Sequence, residues 1–553
     1  MLSAGRSESF AHAPQSLAPA PTARARPVTS RSDAAFIALH TLTWLALAVQ
    51  CVVDLRYENL VAAMLVLVSA SVTFFYVRRT AAIREVPLST AAVLGLCMTT
   101  QWGALVGQSV LWDSLTANLR VPLQTFGYLL GFQLVAIAAH WTSRRLTVFM
   151  SARRVASEWL LAPLGVFRIP SVPALWAFGC IGLLSILGSQ VGQGNVLGKV
   201  VAAFNALAWA PFAILMLHAR YGDGYCRLGR QIPVLAVFVA AAVLLGLALN
   251  FRVIMLTGAL TAALLYLMIL LDDERPFRLA QWRAAALLVI AVALLYQPLT
   301  YFFTGVQVAR EQRDKISRMQ MIQYTFEVLQ DPAAIRREQD KARIASVAAA
   351  YDEYYFKSSM IGRLVETKFH DNSFYMVEGV SPLESRLIAD DATDRILSIL
   401  PYPVLYELGL QRAKYVTLYS VGDLLSNLRL GEELGGFRTG SMFAQGIAIF
   451  GVWTPFLYFL LCIAVFIVWD ALSRSGSKGV PAVLSVIGML LIYRVFAYGI
   501  VTDSIGNIAG VLLRFQVQNV LFYALVFAVS RVFWKPFDPG APARAQRAGS
   551  VWG

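Results

Sequence analysis

Residues 231–271 read QIPVLAVFVAAAVLLGLALNFRVIMLTGALTAALLYLMILL, two apolar runs separated only by Asn250, Phe251 and Arg252. Each run supplies about 20 residues, the length that an α-helix needs to cross a hydrocarbon core of about 30 Å. Backbone polar groups in lipid must be satisfied within the segment, so such runs form helices. The period-two alternation typical of a membrane β-barrel is absent. This stretch therefore predicts an all-α polytopic membrane protein.

The same pattern recurs along the chain, in which 58% of residues are hydrophobic and 14% are charged. A soluble domain has about 45–50% apolar and about 25% charged residues. We predict about twelve transmembrane helices, with a mainly helical loop domain between spans 9 and 10. The predicted spans are 34–53, 58–77, 87–111, 122–141, 172–190, 195–217, 231–249, 252–271, 280–303, 442–469, 479–500 and 511–533.

Lys and Arg residues collect in alternate inter-helix loops, which accounts for the net charge of +14 without invoking nucleic-acid binding. By the positive-inside rule this places both termini in the cytoplasm and the long loop outside it. The basic, amphipathic segment 148–171 is expected on the cytoplasmic membrane surface, with an eroded span as the alternative. The predicted domains are a disordered cytoplasmic tail (1–33), spans 1–9 (34–304), the periplasmic loop domain (305–440), spans 10–12 (441–533) and a cytoplasmic tail (534–553).

Within the loop domain, 306–330 and 333–356 have helical spacing of apolar residues. The loop contains no cysteine, so no disulfide braces it. The chain has no P-loop, no H-E-x-x-H, no Cys/His metal spacing and no G-x-S-x-G motif. We therefore expect neither a metal nor a cofactor.

Four arginines fall at one membrane face, the outer one. They are Arg252 at the start of span 8, Arg438 just before span 10, Arg494 within span 11 and Arg514 near the start of span 12. Guanidinium groups bind phosphate oxygens through a planar fork of donors and keep their charge. A lipid-linked pyrophosphate would explain the cluster. The alternative is that each arginine reaches a lipid head group or pairs with a nearby carboxylate.

Acid–base groups are expected at the same face, because histidine and carboxylates are suited to proton transfer. A loop histidine is also often structural, and paired glutamates often belong to a solvated face. Two glutamines in the outer half of span 3, Gln101 and Gln108, are candidates for binding sugar hydroxyls or for bonds between helices. The candidate acid–base residues are Glu432, Glu433, Asp423, Asp503 and His370.

Two stretches resemble a known family. Residues 249–256 (LNFRVIML) place an arginine at the outer start of a span, and 436–453 (GFRTGSMFAQGIAIFGVW) lead from the loop into a span with Phe-Gly in its first half. Together with a dozen spans and a large loop before the last three, they resemble the bacterial oligosaccharide repeat-unit polymerases of the Wzy type and the related O-antigen ligases.

The resemblance implies a glycosyltransferase of the bacterial inner membrane that polymerises undecaprenyl-pyrophosphate-linked repeat units without a metal. Because these residues are predicted to converge at one face, our hypothesis is that Arg252 and Arg438 hold the pyrophosphate with Arg494 as a third contact, and that Glu433 or Asp503 accepts the proton. The resemblance also allows a chain-length regulator and a flippase as partners. Alternatives are ligase-type transfer to another acceptor, another glycosyltransferase, and a transporter or flippase. The remaining expected substrate-binding residues are Arg494, Arg514, Gln108 and His370.

Overall fold

The computed structural model describes residues 31–189, 196–272, 279–312, 315–338, 340, 351–356, 362, 364–474 and 482–539. Its α-helices of more than one turn before the long loop are α1 Arg31–Val53, α2 Tyr57–Thr80, α3 Pro87–Cys97, α4 Gly103–Val110, α5 Pro122–Arg145, α6 Thr147–Val155, α7 Val172–Ser189, α8 Val196–Ala202, α9 Ala213–Tyr221, α10 Leu228–Leu249, α11 Arg252–Asp272 and α12 Leu279–Ala309, and the single turn Ala82–Glu85 lies between α2 and α3. Those in the loop are α13 Arg318–Leu329, α14 Thr367–Val377, α15 Pro382–Leu397, α16 Tyr402–Glu407 and α17 Val421–Leu430, and residues 332–338 are also helical. After it come α18 Met442–Phe450, α19 Thr454–Asp470, strands β1 Ser473–Arg474 and β2 Val483–Leu484, α20 Val486–Tyr498, α21 Ile505–Gly510 and α22 Gln516–Phe533.

Ten continuous helical segments in the described part of the chain are long and apolar enough to cross a bilayer. They coincide with ten of the predicted spans, which confirms an all-α polytopic membrane protein. Their bounds are Ser32–Val53, Tyr57–Thr80, Pro87–Val110, Pro122–Arg145, Val172–Ser189, Val200–Gly224, Leu228–Leu249, Arg252–Leu271, Met442–Asp470 and Ile505–Phe533.

The other two predicted spans are helices of different lengths. The 31-residue helix α12 covers span 9. In place of span 11, the 13-residue α20 begins at Val486 rather than at 479. Its start is delayed because β2 pairs with β1 in a short antiparallel ribbon, and the side chain of Ser485 then caps the helix by accepting from the Gly488 N–H.

We use the name cap for residues 305–440, and cap end for the end of the bundle that they contact. The cap is mainly helical, and Ser317, Ser381 and Ser420 form capping boxes at the starts of α13, α15 and α17. Of the helix predicted over 333–356, the first residues, up to 338, are helical and 351–356 are not, while 341–350 lie outside the described residues. The backbone carbonyl of Tyr355 in that segment accepts a hydrogen bond from Gln108 Nε2 at 2.9 Å.

A π-helical turn at Met98–Trp102 joins α3 to α4 and receives the cap. A wide turn of this kind leaves carbonyl groups without their usual helical partners. Here the Thr99 carbonyl accepts from the Glu366 N–H at 2.8 Å, and the Thr100 carbonyl accepts from Thr367 Oγ1 at 2.7 Å. The interruption in span 3 therefore fixes the entry to α14.

Helices α3 and α20 cross in direct backbone contact at the cap end. A Cβ on Gly95 would lie 1.7 Å from the Phe496 carbonyl oxygen, so no larger residue fits there. On the other side of the crossing, a Cβ on Gly499 would lie 2.9 Å from Ala92 Cβ. This crossing fixes the depth and rotation of α20, and with them the position of Arg494.

The opposite end of the bundle is held by a buried polar network. His140 contacts the Tyr76 hydroxyl through Nδ1 at 2.7 Å and the Ser89 hydroxyl through Nε2 at 2.8 Å. Asp470 Oδ1 accepts from the Ser89 N–H at 3.0 Å. All four belong to different helices, so the network joins α2, α3, α5 and α19 away from the cap.

Candidate functional site

A cavity of about 760 Å³ lies where the cap meets the bundle. Its walls come from the start of α11, the end of α12, α20, the chain before α21 and two parts of the cap, 364–370 and 439–440. Cationic and acidic side chains meet on these walls from segments far apart in the sequence. The titratable residues that line it are Arg252, Arg310, Glu366, His370, Tyr493, Arg494, Tyr498 and Asp503.

Arg252 reaches the cavity from a tight turn between α10 and α11. Asn250 has φ of 50°, the left-handed conformation that ends many helices and that Asn tolerates. Its Nδ2 donates to the Val306 carbonyl at 3.0 Å, which ties the turn to α12. Arg252 Nη1 then donates to Gln307 Oε1 at 3.2 Å, and the guanidinium is held at the cavity wall.

Arg494 lies on α20 four residues before its end at Tyr498, about 6 Å along the helix axis. Its guanidinium carbon lies 5.0 Å from the ring centroid of Phe515, within the range of a cation–π contact. Within the part of the chain that the structure describes, no carboxylate pairs with Arg494. A span arginine that faces a cavity without a counter-ion is suited to hold an anion.

Two carboxylates share the cavity with these arginines. Burial, reinforced by the charge of Asp503, raises the pKa of Glu366 to about 8, although a hydrogen bond with Tyr498 acts in the opposite direction. Asp503 lies between α20 and α21, where its side chain accepts a hydrogen bond from Asn507 Nδ2. With this pKa, Glu366 is mainly protonated at neutral pH and half-ionised in the mildly alkaline range, which suits a group that exchanges protons.

His370 lines the cavity from α14 but is almost completely buried. Nδ1 contacts Ser441 Oγ at 2.7 Å, and Nε2 is buried without a hydrogen-bond partner among the described residues. Burial lowers its pKa to about 3, so the ring is neutral at physiological pH. Its Ser441 contact also joins the cap to the start of α18.

Arg438 was expected beside Arg252, yet its side chain is held within the cap. Nη1 lies 3.3 Å from Asp423 Oδ1 and Nη2 lies 2.5 Å from Glu432 Oε2, while the ring of Tyr351 lies 5.2 Å from the guanidinium carbon. Burial acts to raise the pKa of Asp423, but backbone N–H groups of Ser420, Arg438 and Phe437 outweigh it and lower that pKa. Only the neighbours of Arg438, Thr439 and Gly440, line the cavity.

Two further expected residues lie away from the lining. The side chain of Glu433 is exposed, and its backbone carbonyl accepts from Arg438 Nη1 at 3.1 Å. Gln108 is buried against the non-helical segment around Tyr355. Gln108 thus connects a membrane helix to the cap through a hydrogen bond, and Glu433 lies at the surface.

Arg514 was expected near the start of span 12, but that span begins at Ile505, about 13 Å earlier along the helix. Arg514 lines a second cavity of about 590 Å³. Arg494 and Phe515 line both cavities, and the guanidinium carbon of Arg514 lies 5.6 Å from the Phe515 ring centroid. Amides of Asn205, Gln518 and Asn519 also line this second cavity.

Sequence reasoning found Arg252, Arg494, Asp503 and His370, and the structure brings these four to one cavity. It missed Glu366 and Arg310. Arg310 lies directly after α12, so its place at a span end was available as a signal. Glu366 carries no such signal, because it belongs to a loop of mixed charge and is placed by the π-helical turn at Met98–Trp102.

The charges on the wall suit a ligand with several negative charges and a hydroxyl group that loses a proton. Of the residues that the structure describes, three arginines and two carboxylates line the cavity, and Glu366, with its pKa of about 8, is mainly protonated at neutral pH. Among the described residues, no group of three or more His, Cys, Asp or Glu side chains is arranged to hold a metal ion. Comparisons with protein-family models, with curated proteins and with solved structures gave no match.

Proposed function

We propose that this chain is a membrane glycosyltransferase of the bacterial inner membrane, with its cap in the periplasm. It would polymerise oligosaccharide repeat units linked to undecaprenyl pyrophosphate. The observation that carries the proposal is the convergence of Arg252, Arg310 and Arg494 with Glu366 and Asp503 on one cavity at the cap end. That level of a bilayer is where the pyrophosphate of a lipid-linked glycan lies.

The arginines suit the leaving group of this reaction. When the bond between the anomeric carbon and the pyrophosphate oxygen breaks, negative charge develops on that oxygen. Fixed cations in a site with little water stabilise such charge, and each one typically contributes about 10²–10³ in rate. Arg494 is the strongest candidate, because no carboxylate in the described chain neutralises it.

The carboxylates are suited to take the proton from the hydroxyl group of the acceptor glycan. A hydroxyl at the non-reducing end of a second lipid-linked unit attacks the anomeric carbon, and its proton passes to the ionised carboxylate of Glu366. The products are the extended glycan and undecaprenyl pyrophosphate. The raised pKa of Glu366 makes it a stronger base than an ordinary carboxylate, and Asp503 beside it favours proton uptake.

The test is transfer in proteoliposomes that contain lipid-linked repeat units, with products separated by length. Wild type should form a ladder, while Arg494→Ala and Arg252→Ala should lose about 10²–10³ in rate. Arg79→Ala is a matched control, because it removes a cation at the other end of a span. If the glycan moves instead to an added lipid acceptor in a single step, the ligase alternative holds. If both cavity variants transfer at the wild-type rate, the arginine site is wrong.

A further inference from the structure

Residues 400–418 of the cap, which we name the aromatic hairpin, expose an unusually apolar surface. The hairpin consists of α16 and the 3₁₀ segment Gln411–Leu418, which contact each other, and its buried residues include Leu405, Ala413 and Val416. Side-chain exposure reaches 60% at Tyr406, 68% at Tyr415 and 65% at Leu418. The large exposed apolar residues on it include Tyr402, Val404, Tyr406, Leu408, Tyr415 and Leu418.

The helix that carries the hairpin, α15, lies across the cap ends of two membrane spans. Near its start, Ser385 Oγ donates to the Ala448 carbonyl of α18 at 2.7 Å. Near its end, a Cβ on Gly506 of α21 would lie 2.5 Å from Arg395 Cβ. Since α18 and α21 begin the spans Met442–Asp470 and Ile505–Phe533, α15 lies at the level where those spans enter the bilayer.

The hairpin is tied to the end of α15. Lys414 Nζ donates to the carbonyls of Ser398 and Leu400, the latter at 2.7 Å. Arg395 Nη2 donates to the Tyr419 carbonyl at 3.2 Å, so both ends of the hairpin are anchored beside Gly506. Its exposed apolar side chains therefore stay close to the level of the span ends.

The exposed apolar surface also continues at the other end of α15. Leu383 and Leu387, which flank Ser385, are exposed. The bend between α18 and α19 that Ser385 approaches exposes Val452 at 91% and Trp453 at 67%. Trp and Tyr side chains concentrate at the level of lipid head groups, where one end of the ring is apolar and the other is wet.

We infer that the aromatic hairpin inserts into the head-group region of the bilayer leaflet on the cap side. Its tyrosines and leucines lie in the interface. The guanidinium of Arg412 on the same segment adds a cation that anionic head groups attract, because its side chain is 75% exposed although Nε lies 3.9 Å from Asp394 Oδ2. This anchor is close to the cavity wall. Arg395, at the end of α15, contacts Gly506, and the next residue, Asn507, lines the cavity. The inference does not depend on the proposed reaction.

The test uses an environment-sensitive fluorophore at single cysteines in nanodiscs of phosphatidylethanolamine and phosphatidylglycerol. Cys51→Ala and Cys180→Ala remove the two exposed native thiols, while the other three cysteines are buried. Labels at Tyr406→Cys, Tyr415→Cys and Leu418→Cys should be quenched by lipids that carry a spin label near the head group, and protected from aqueous iodide. Glu433→Cys, an exposed cap position, should show the reverse.

Two outcomes would overturn the inference. Iodide quenching at all three hairpin positions equal to that at Glu433→Cys would place the hairpin in water. Protection from both quenchers would instead show that protein covers the hairpin, as in contact with a second copy. Because all the substituted side chains are exposed, the variants should fold, and glycan transfer measured on the same nanodiscs reports separately on the proposed function.

Discussion

Arg494 lines the cavity, whereas Arg438 lies in the cap next to two lining residues, Thr439 and Gly440, and the surroundings of the two arginines differ. Arg494 has an aromatic ring and a cavity around it and no carboxylate partner in the described chain, whereas Arg438 is paired with both Asp423 and Glu432. A buried charge that is neutralised by protein contributes to structure, while one that is left facing a cavity is available to a ligand. A ligand-binding arginine is therefore identified by the partners of its side chain, and not by its depth in the membrane or by a sequence motif.

The largest expected effect is the loss of transfer in Glu366→Gln. The amide keeps the shape of the side chain but cannot accept the hydroxyl proton, so the rate should fall by about 10²–10⁴. Wild-type transfer should rise with pH and level off above about 8, the pKa of Glu366, since the ionised form is the base. The measurement is single-turnover transfer from pH 6 to 9.

Glu433→Gln is the matched control for that change, because Glu433 is an exposed cap glutamate outside the cavity lining. It should leave both the rate and the pH profile unaltered. An equal loss of transfer rate in the two variants would contradict a special role for the cavity carboxylate. Residual transfer by Glu366→Gln with the wild-type pH profile would instead indicate Asp503 as the base.

Arg438→Ala should mainly reduce stability. Asp423, whose side chain is fully buried, would keep its backbone donors but lose its cationic partner. Breaking a largely buried pair costs about 2–3 kcal/mol when part of one partner is solvated. The check is thermal unfolding in detergent, with Arg494→Ala for comparison, which should be no less stable than wild type. If the Arg438→Ala protein were as stable as wild type but inactive, Arg438 would have to bind the ligand, as its sequence motif predicts.

The smallest expected effect is on the pH dependence of unfolding. The pKa of Glu366 in the folded protein is above its ordinary value of 4.5, so the folded state holds a proton that the unfolded state releases. The stability linked to this group is complete below about pH 4.5 and is lost as pH rises through about 8. Glu366→Gln should flatten this part of the curve of unfolding temperature against pH, and an unchanged slope would contradict the shifted pKa.

Much of the fold was predictable because crossing a bilayer imposes a length and composition that are visible locally. Ten spans appear where the apolar runs predict them. The start of α20 was not predictable, because the residues before Val486 are also apolar and their pairing with β1 depends on another segment. The mainly helical cap followed from apolar spacing, while the non-helical 351–356 is held by contacts such as that between Gln108 and Tyr355.

By itself the sequence determined the membrane-spanning architecture and the presence of arginines near one face, since hydropathy and charge act residue by residue. Only the tertiary structure decided which charges meet. Glu366 is positioned at the cavity by the hydrogen bond from its N–H to the Thr99 carbonyl, which belongs to the π-helical turn. Arg494 is positioned there by the close contact of its helix with Gly95. The ion pairs of Arg438 with Asp423 and Glu432 likewise depend on the tertiary structure of the cap. Coulomb interactions depend on distance in space, which the order of residues along the chain does not specify.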